Sequence, residues 1–320
     1  MPRDDRPGPG FPRPSLVGVT STLPRLPDDP LAALVDLPGV ADAVGGARSA
    51  VDGLLSHRLL RRRSAEVTAE SALRGARASA ELEGAHIELE RLRGQLLSGG
   101  TVELHDRSDE HGARVVANAV RLHADLGQVL VAWRHSPRQA LARLHVLAAA
   151  ELEADPDRLG RPRPAGVEVD DPYGIGPAPE PVEVAARLDG LARLLTAGTS
   201  APAVVVSAVV HGELLALRPF GVADGLVARA AARLVLIDRG LDPKAVSAPE
   251  VGHAELEKFG EGGFARDHGA IEGDSYGLAL RGYVGGGPGG VARWVRHCAD
   301  AVALGAREGL AVCEAVTRAG

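Results

Sequence analysis

The sequence is short of cysteine and of positive charge, and each shortage excludes a class of protein. Cys298 and Cys313 are the only cysteines among 320 residues, which is too few for a disulfide framework, and no metal-ligand spacing surrounds them. This cysteine content is typical of a reduced, cytoplasmic protein. The formal net charge of −6 gives no argument for binding to nucleic acid or to an anionic membrane.

Long hydrophobic runs are scarce as well. Residues 1–14 are rich in proline, arginine and aspartate and contain no apolar core, so they do not resemble a signal peptide. The most apolar run, residues 201–217, carries His211 and Glu213 and is too short to span a bilayer. We therefore expect a soluble protein without a membrane segment.

Helix-forming residues dominate instead. Hydrophobic residues make up 45% of the chain but aromatic residues only 3%, so alanine, leucine and valine provide most of the buried surface. Alanine and leucine are strong helix formers. The sequence predicts an all-α protein with a disordered leader at residues 1–30, an N-terminal helical region at 31–135 and a core at 136–320.

Apolar residues at helical spacing, interrupted by glycine and proline, place the individual helices. The predicted longer helices cover residues 64–80, 86–97, 110–131, 136–154, 181–195, 204–217, 226–237, 248–264, 274–283 and 291–318. The glycine run at 285–290 is predicted to be a flexible loop. It lacks the Lys-(Ser or Thr) pair of a phosphate-binding loop, and no strand precedes it.

One long segment, residues 155–180, differs in composition from the helices around it. Six prolines lie between Pro156 and Pro179, together with several glycines. Residues 167–169 are predicted to form one short strand. A loop of this length in a helical chain is often functional.

The centre of the chain is a helix, a tight loop and a second helix at residues 203–240. Pro219 has no amide proton and so ends or turns the first helix. Gly221 and Gly225 allow the loop to be tight. Such a loop aims backbone amides at the start of the second helix, where a phosphate group can bind.

The loop resembles the motif of the Fic family, whose studied members transfer AMP from ATP to protein hydroxyl groups. The family motif is His-Pro-Phe-x-(Asp or Glu)-Gly-Asn-Gly-Arg-x-x-Arg. Residues 218–229 of this chain read Arg-Pro-Phe-Gly-Val-Ala-Asp-Gly-Leu-Val-Ala-Arg. The matching residues are Pro219, Phe220, Gly225 and Arg229, with Asp224 close to the motif's Asn.

Two further features of the family precede this motif in the chain, in the same order as in the family. Members with an N-terminal inhibitory helix carry (Ser or Thr)-x-x-x-Glu-(Gly or Asn), and Ser79, Glu83 and Gly84 fit that pattern. Segment 155–180 follows Leu144-His145, which resembles the family's preceding helix, and lies where the family has its flap, a small β-hairpin that holds the target segment. The resemblance implies a Fic-fold helical domain with a β-hairpin or Pro/Gly-rich flap, and ATP and Mg²⁺ as the family's cofactors.

Three departures affect the chemistry that the resemblance implies. The motif His is the family's general base, and Arg218 replaces it with a guanidinium that stays protonated and accepts no hydrogen bond. The family's Mg²⁺ ligand is Val222 here, which has no oxygen for a hard cation. The first motif arginine is Leu226, so one phosphate contact is lost. No catalytic residue and no metal ligand is therefore predicted, and the candidate nucleotide-binding residues are Gly225, Arg229 and Asp224.

Several single residues have two interpretations. Asp224 is either a relocated metal ligand or, as we prefer, the N-cap of the following helix. In the family the inhibitory Glu pairs with the second motif Arg and blocks the γ-phosphate, so Glu83 and Arg229 form either an inhibitory contact or, as we prefer, a structural tie. His211 is interpreted as a packing or hydrogen-bonding residue, and no spacing assigns a role to His253.

The sequence supports three functional hypotheses. The first is a pseudoenzyme of the Fic fold that works by binding, with a protein segment at the flap, residues 155–180, or a weakly held nucleotide as its partner. The second is a nucleotidyl- or phosphoryl-transferring enzyme with altered catalytic residues. The third, a DNA-associated regulator, is disfavoured by the acidic net charge. An electronegative pocket around Asp224 with no room for a triphosphate favours the first. A basic, open pocket around Arg218, Arg229 and Arg233 favours nucleotide binding.

Overall fold

A computed structural model describes residues 29–106, 108–261 and 275–319. Helices are the only regular secondary structure in these ranges, so the predicted all-α class is confirmed. None of the helices in these ranges is both long and apolar enough to cross a membrane. The predicted leader lies outside the described residues except for positions 29 and 30.

The α-helices of the described residues are α1 (Val40–Leu55), α2 (Ser64–Glu81), α3 (Leu89–Leu97), α4 (Glu110–Ala124), α5 (Leu126–His135), α6 (Pro137–Ala149), α7 (Pro181–Ala197), α8 (Ala203–Leu217), α9 (Asp224–Asp238), α10 (Pro249–Glu261), α11 (Tyr276–Gly285) and α12 (Gly287–Ala319). Short 3-10 helices cover Ala32–Asp36, Arg58–Arg61 and Pro156–Arg158. The predicted boundary between residues 135 and 136 falls in the turn between α5 and α6.

Most helices begin and end within a few residues of their predicted positions, because proline and glycine mark the ends. The predicted helix at 110–131 differs, since the chain breaks at Asp125 into α4 and α5. The Asp125 carbonyl accepts hydrogen bonds from the amides of Gln128 at 2.9 Å and Val129 at 3.1 Å, so a new helix begins there.

The glycine run at 285–290 is not the predicted loop. α11 ends at Gly285, Gly286 turns the chain with a φ of 74°, and α12 begins at Gly287. A Cβ at Gly290 would lie 2.0 Å from the carbonyl oxygen of Gly282. Glycine is required there because the backbones of α11 and α12 approach too closely for any side chain.

Residues 155–180, called the flap from here on, contain no β-hairpin. They form turns, bends and the 3-10 helix Pro156–Arg158, so the predicted hairpin and the predicted strand at 167–169 are wrong. Proline cannot donate a hydrogen bond to a neighbouring strand, and the six prolines of the flap interrupt any pairing. Side-chain contacts to the loop between α8 and α9 hold the flap instead.

Helices α8 and α9 form the centre of the structure. Almost every residue of α8 is buried, which is typical of a helix surrounded on all sides. α8 packs against α9 and α12, and the 33-residue α12 also packs against α1, α10 and α11. α2 contacts α4, α9 and α10. This packing brings together the end of α2, the start of α9 and the flap.

Candidate functional site

The motif loop, residues 218–223, joins α8 to α9 in a strained conformation. Arg218 and Ala223, which border the loop, have φ angles of 43° and 57° in the left-handed region. A residue with a Cβ pays roughly 1–2 kcal/mol for that conformation. Strain of this kind is concentrated at functional sites, which makes the loop the first candidate for one.

Arg218, at the position of the family's base, turns its guanidinium towards the flap. It donates hydrogen bonds to the carbonyl oxygens of Gly176 at 2.6 Å and Asp170 at 3.3 Å, and it lies 3.7 Å from the Asp171 carboxylate. Burial lowers its pKa, while the Asp171 and Asp224 carboxylates oppose that shift. A guanidinium still cannot act as a base in this setting. Arg218 therefore holds the flap and has no proton-accepting role.

Arg163 connects the same two segments from the flap side, and the sequence analysis missed it. Its backbone amide donates to the Pro219 carbonyl at 2.8 Å, and its Nε donates to the Arg218 carbonyl at 2.9 Å. Its side chain also donates to the Pro179 carbonyl. The flap is thus fixed to the motif loop at both of its ends.

His145 of α6 forms a third connection. Its ring stacks on Phe220 with 4.1 Å between ring centroids, and its Nδ1 accepts a hydrogen bond from the Gly160 amide at 2.9 Å. Burial lowers the pKa of His145 to about 4, so the ring is neutral at physiological pH. Pro219 and Phe220 are buried, and they place this end of the loop beneath the flap.

Asp224 is the first residue of α9 and not its N-cap, so the preferred interpretation of this residue was wrong. The cap position is Ala223, which has no side-chain acceptor. The Asp224 carboxylate folds back on the loop and accepts the amides of Phe220 at 3.0 Å and Gly221 at 2.7 Å. Burial raises its pKa to about 7 although both amides oppose that shift. Asp224 thus occupies amides that a phosphate would need.

Glu83 and Arg229 meet at the other side of the loop. Nη2 of Arg229 donates to the Glu83 carboxylate at 2.5 Å and to the Ser79 carbonyl at 3.0 Å, while Nε donates to the Ser79 hydroxyl at 2.8 Å. The Arg229 side chain is 1% exposed. Burial lowers the pKa of Arg229, but the Glu83 carboxylate together with Tyr276 and Tyr173 outweighs burial, so the net shift of the pKa is upward.

The end of α2 positions Glu83 directly over Gly225. Gly84 has a φ of 84°, and the Ala85 amide donates to the Ala80 carbonyl at 2.9 Å, which closes the helix in a glycine-dependent turn. A Cβ at Gly225 would lie 2.0 Å from Oε1 of Glu83. The carboxylate therefore covers the backbone at the start of α9, where an anion would otherwise bind.

Tyr173 of the flap also contacts this region, and no sequence pattern indicated it. Its hydroxyl donates to the Leu82 carbonyl at 3.3 Å, and its ring packs edge-on against Tyr276 with 5.2 Å between centroids. The Tyr276 hydroxyl in turn accepts a hydrogen bond from Arg229 at 3.4 Å. The flap thereby reaches the same buried network as the end of α2.

The three arginines do not converge. Arg233 donates to Glu250 at 3.1 Å, to the Ser71 hydroxyl at 2.6 Å and to the Ala245 carbonyl at 3.1 Å, all in the interior. Arg229 donates its hydrogen bonds to the end of α2, and Arg218 donates its hydrogen bonds to the flap. The basic pocket that would favour nucleotide binding is therefore not found among the described residues.

A pocket of about 710 Å³ lies between the end of α2, the flap, the motif loop and α10. Its acidic lining residues are Glu81, Glu83, Asp170, Asp171, Asp224 and Glu257. The cationic lining residues are Arg218 and Lys258, and the Lys258 ammonium is paired with Glu81 at 2.7 Å. The pocket is electronegative, as the first hypothesis expects, but its volume falls in the range of small-molecule pockets, so it has the room for a triphosphate that this hypothesis excludes.

These residues do not fit a magnesium nucleotide. Val222 and the buried Leu226 provide neither an oxygen for Mg²⁺ nor a charge for phosphate. The carboxylates of Asp224 and Glu83 stand where phosphate oxygens would approach the loop, and like charges repel.

Comparison of the whole structure with solved structures identifies the fold. A Fic family protein from Desulfovibrio desulfuricans matches with a TM-score of 0.66 and 18% identity, over 86% of this chain and 75% of that chain. Fic-1 from C. elegans matches with a TM-score of 0.59 and 16% identity, over 87% of this chain and 73% of that chain. The protein has the Fic fold. At the sequence level, no family model and no curated protein matches the chain.

Proposed function

We propose that this protein is a non-catalytic member of the Fic fold, a pseudoenzyme that works by binding a protein partner at the flap and the acidic pocket. One observation carries the proposal. Arg218 occupies the base position and donates its guanidinium to the carbonyls of Gly176 and Asp170. A group at this position has to accept the proton of the attacking hydroxyl, and general-base catalysis is typically worth 10²–10⁴-fold in rate.

The charge of the pocket argues for a basic partner segment. Asp170 and Asp171 are exposed on the flap, and Glu168 lies exposed beside them. These carboxylates repel a triphosphate but attract lysine and arginine side chains. A basic, extended protein segment therefore matches the flap better than a nucleotide does.

A transfer assay tests the loss of catalysis. The wild-type chain and Arg218→His are incubated with labelled ATP, Mg²⁺ and candidate protein acceptors, and the label on protein is counted. We expect none from either, because Val222 and Leu226 still lack an oxygen and a charge. A matched variant that also carries Val222→Glu, Ala223→Gly, Asp224→Asn and Leu226→Arg shows whether the scaffold accepts the restored motif. Label transferred by the wild type or by Arg218→His alone would contradict the proposal.

A photo-crosslinking experiment tests the partner. A crosslinking amino acid at the exposed Glu168 position is compared with one at Leu97, which is 83% exposed and lies in α3 outside the flap. A crosslinked protein that is specific to position 168, and that is lost at high salt or in Asp170→Asn with Asp171→Asn, supports the proposal. Equal crosslinking at both positions contradicts it.

One observation favours the second candidate function, an enzyme of the same fold with altered catalytic residues. Asp224 lines the pocket and has a pKa of about 7, so its carboxyl group can exchange a proton near neutral pH. Any phosphoryl or nucleotidyl transfer that is detected should then disappear in Asp224→Asn. Transfer activity that is retained in Asp224→Asn would show that Asp224 does not exchange the proton in the reaction.

A further inference from the structure

Outside the pocket, three metal-binding side chains meet in the interior on three different helices. His211 of α8, His253 of α10 and Cys298 of α12 each offer one ligand atom, and these atoms all lie within 4.8 Å of one another. The three residues are 1%, 4% and 4% exposed. The three residues are distant in sequence, so no spacing motif predicts the cluster.

Hydrogen bonds orient both histidine rings from the outside. Nε2 of His211 lies 2.7 Å from the Tyr276 hydroxyl, and Nδ1 of His253 lies 3.0 Å from Nε2 of His297. Each ring therefore has one nitrogen in a hydrogen bond, which leaves the other ring nitrogen as the one that could bind an ion. Histidines that bind metals almost always have this arrangement, because the outer partner fixes the ring and its tautomer.

A cavity of about 10 Å³ lies against the cluster, and its lining includes His211, His253, Cys298 and Glu250. A volume of this order holds about one water-sized occupant. Oε1 of Glu250 has no hydrogen-bond partner among the described residues, although Glu250 is only 1% exposed. A buried carboxylate oxygen without a partner is rare, and an ion or an ordered water is the usual reason.

The charges nearby are already compensated. Arg229 and Arg233 also line the cavity, but Arg229 is paired with Glu83 at 2.5 Å and Arg233 with Glu250 at 3.1 Å. Pairing reduces the repulsion that either guanidinium would exert on a cation. A thiolate at Cys298 would add one negative charge directly on the ion.

We propose that His211, His253 and Cys298 bind a single transition-metal ion of the zinc class and that this ion fixes α8 against α10 and α12. Imidazole nitrogen and thiolate sulfur are the ligands that Zn²⁺ prefers in proteins. Binding forms a metal–sulfur bond, the Cys298 thiol releases its proton to solvent, and no electron is transferred.

Metal content tests the proposal directly. The full chain is produced without a histidine tag in zinc-supplemented medium, passed over a chelating resin and analysed by mass spectrometry for metals. We expect about one zinc ion per chain in the wild type and a loss of tenfold or more in Cys298→Ser and His253→Gln. Cys313→Ser is the matched control, because Cys313 is a buried thiol on the same helix that lies outside the cluster.

Circular dichroism shows which variants fold. Cobalt substitution tests the site in the wild type itself, so the result does not depend on whether the ligand variants fold. Cobalt bound by the wild type and by Cys313→Ser should show the absorption band of a thiolate–cobalt bond. A wild type that retains no metal and shows no such band overturns the proposal, and the cavity then holds a water molecule only. Zinc retained by a folded Cys298→Ser at the wild-type level overturns it as well.

Discussion

The two sides of the motif loop match the Fic motif to different degrees. On the flap side, Pro219 and Phe220 match, but Arg218, Val222 and Ala223 stand where the motif has its His, its acidic residue and a glycine. On the α2 side, Gly225 and Arg229 match the motif, Ser79 and Glu83 match the inhibitory pattern, and Leu226 stands where the motif has its first Arg. The residues that would do chemistry are changed, whereas those that bond the helices together are present.

The contacts explain this difference. Arg229 makes hydrogen bonds to both the backbone and the side chain of Ser79 as well as to Glu83, so its loss would leave several buried groups without partners. Arg218 bonds mainly to carbonyl oxygens of the flap, and its loss would affect only that segment. A retained motif residue can therefore serve stability alone, and its presence is not evidence of activity.

The largest expected effect is on the α2 side. Arg229→Met should lower the free energy of unfolding by about 3–5 kcal/mol, because it breaks a buried pair and leaves Glu83 uncompensated. Chemical denaturation measures this loss. Arg138→Met is the matched control, since Arg138 pairs with Asp189 on the surface and its loss should cost less than about 1 kcal/mol. Equal effects of the two substitutions would show that the buried contacts of Arg229 do not stabilise the α2 side of the loop.

A smaller effect is expected on the flap side. Arg218→Met should lower the free energy of unfolding by about 1–3 kcal/mol, the range for hydrogen bonds made by a charged group. Its main consequence should be local, with faster amide hydrogen exchange in the flap at Ile175 and Gly176. The exposed Arg161→Met, in the same segment, should leave exchange unchanged. A flap that exchanges at the same rate in both variants would show that Arg218 does not hold it.

Asp224 should make stability depend on pH. Its pKa of about 7 in the folded protein lies above the usual value near 3.9, so its contribution is fully present below about pH 4 and is lost as the pH rises through 7. Between pH 4 and 8, the stability of Asp224→Asn relative to the wild type should therefore rise by up to about 4 kcal/mol, since one pKa unit corresponds to about 1.4 kcal/mol. Thermal melts across this range measure the slope. Asp189→Asn, at a half-exposed side chain, is the control, and parallel profiles for Asp224→Asn and the wild type would contradict the assignment.

The smallest expected effect is a gain. Ala223→Gly should raise stability by about 0.5–1 kcal/mol, because glycine adopts the φ of 57° without the strain of a Cβ. Ala186→Gly, on the exposed face of α7, should instead lower stability by about 1 kcal/mol. Changes of opposite sign in the melting temperatures of the two variants would support the interpretation that Ala223 is strained. A loss in both would show that Ala223 is not strained.

Much of the fold could be predicted from local sequence signals. The spacing of apolar residues and the positions of glycine and proline place most helices. The inhibitory pattern correctly pairs Glu83 with Arg229, whereas the hydrogen bonds between Ser79 and Arg229 were not predicted. The break at Asp125 carries no strong turn signal. The glycines at 285–290 were misread because Gly290 serves a close helix contact, which depends on Gly282 in another helix.

The contacts that organise the site could not be predicted in the same way. Arg163, His145 and Tyr173 act through partners far away in the chain, such as Pro219, Phe220 and Leu82. The flap was expected to form a hairpin because of the resemblance, but its prolines prevent strand pairing. Asp224 was predicted to cap the helix that follows it, whereas its carboxylate accepts hydrogen bonds from amides of the loop that precedes it. In each case the decisive partner is set by tertiary packing rather than by neighbours in sequence.

Calorimetry with ATP and Mg²⁺, on the wild type and on Glu83→Gly, is the sharpest test of whether the motif loop can hold a nucleotide. We expect no binding heat for either protein, because Asp224, Val222 and Leu226 still exclude a magnesium nucleotide after Glu83 is removed. Glu83→Gly should also melt at a lower temperature than the wild type. Nucleotide binding by Glu83→Gly with an unchanged melting temperature would contradict the account and make Glu83 an inhibitory residue of a working nucleotide site.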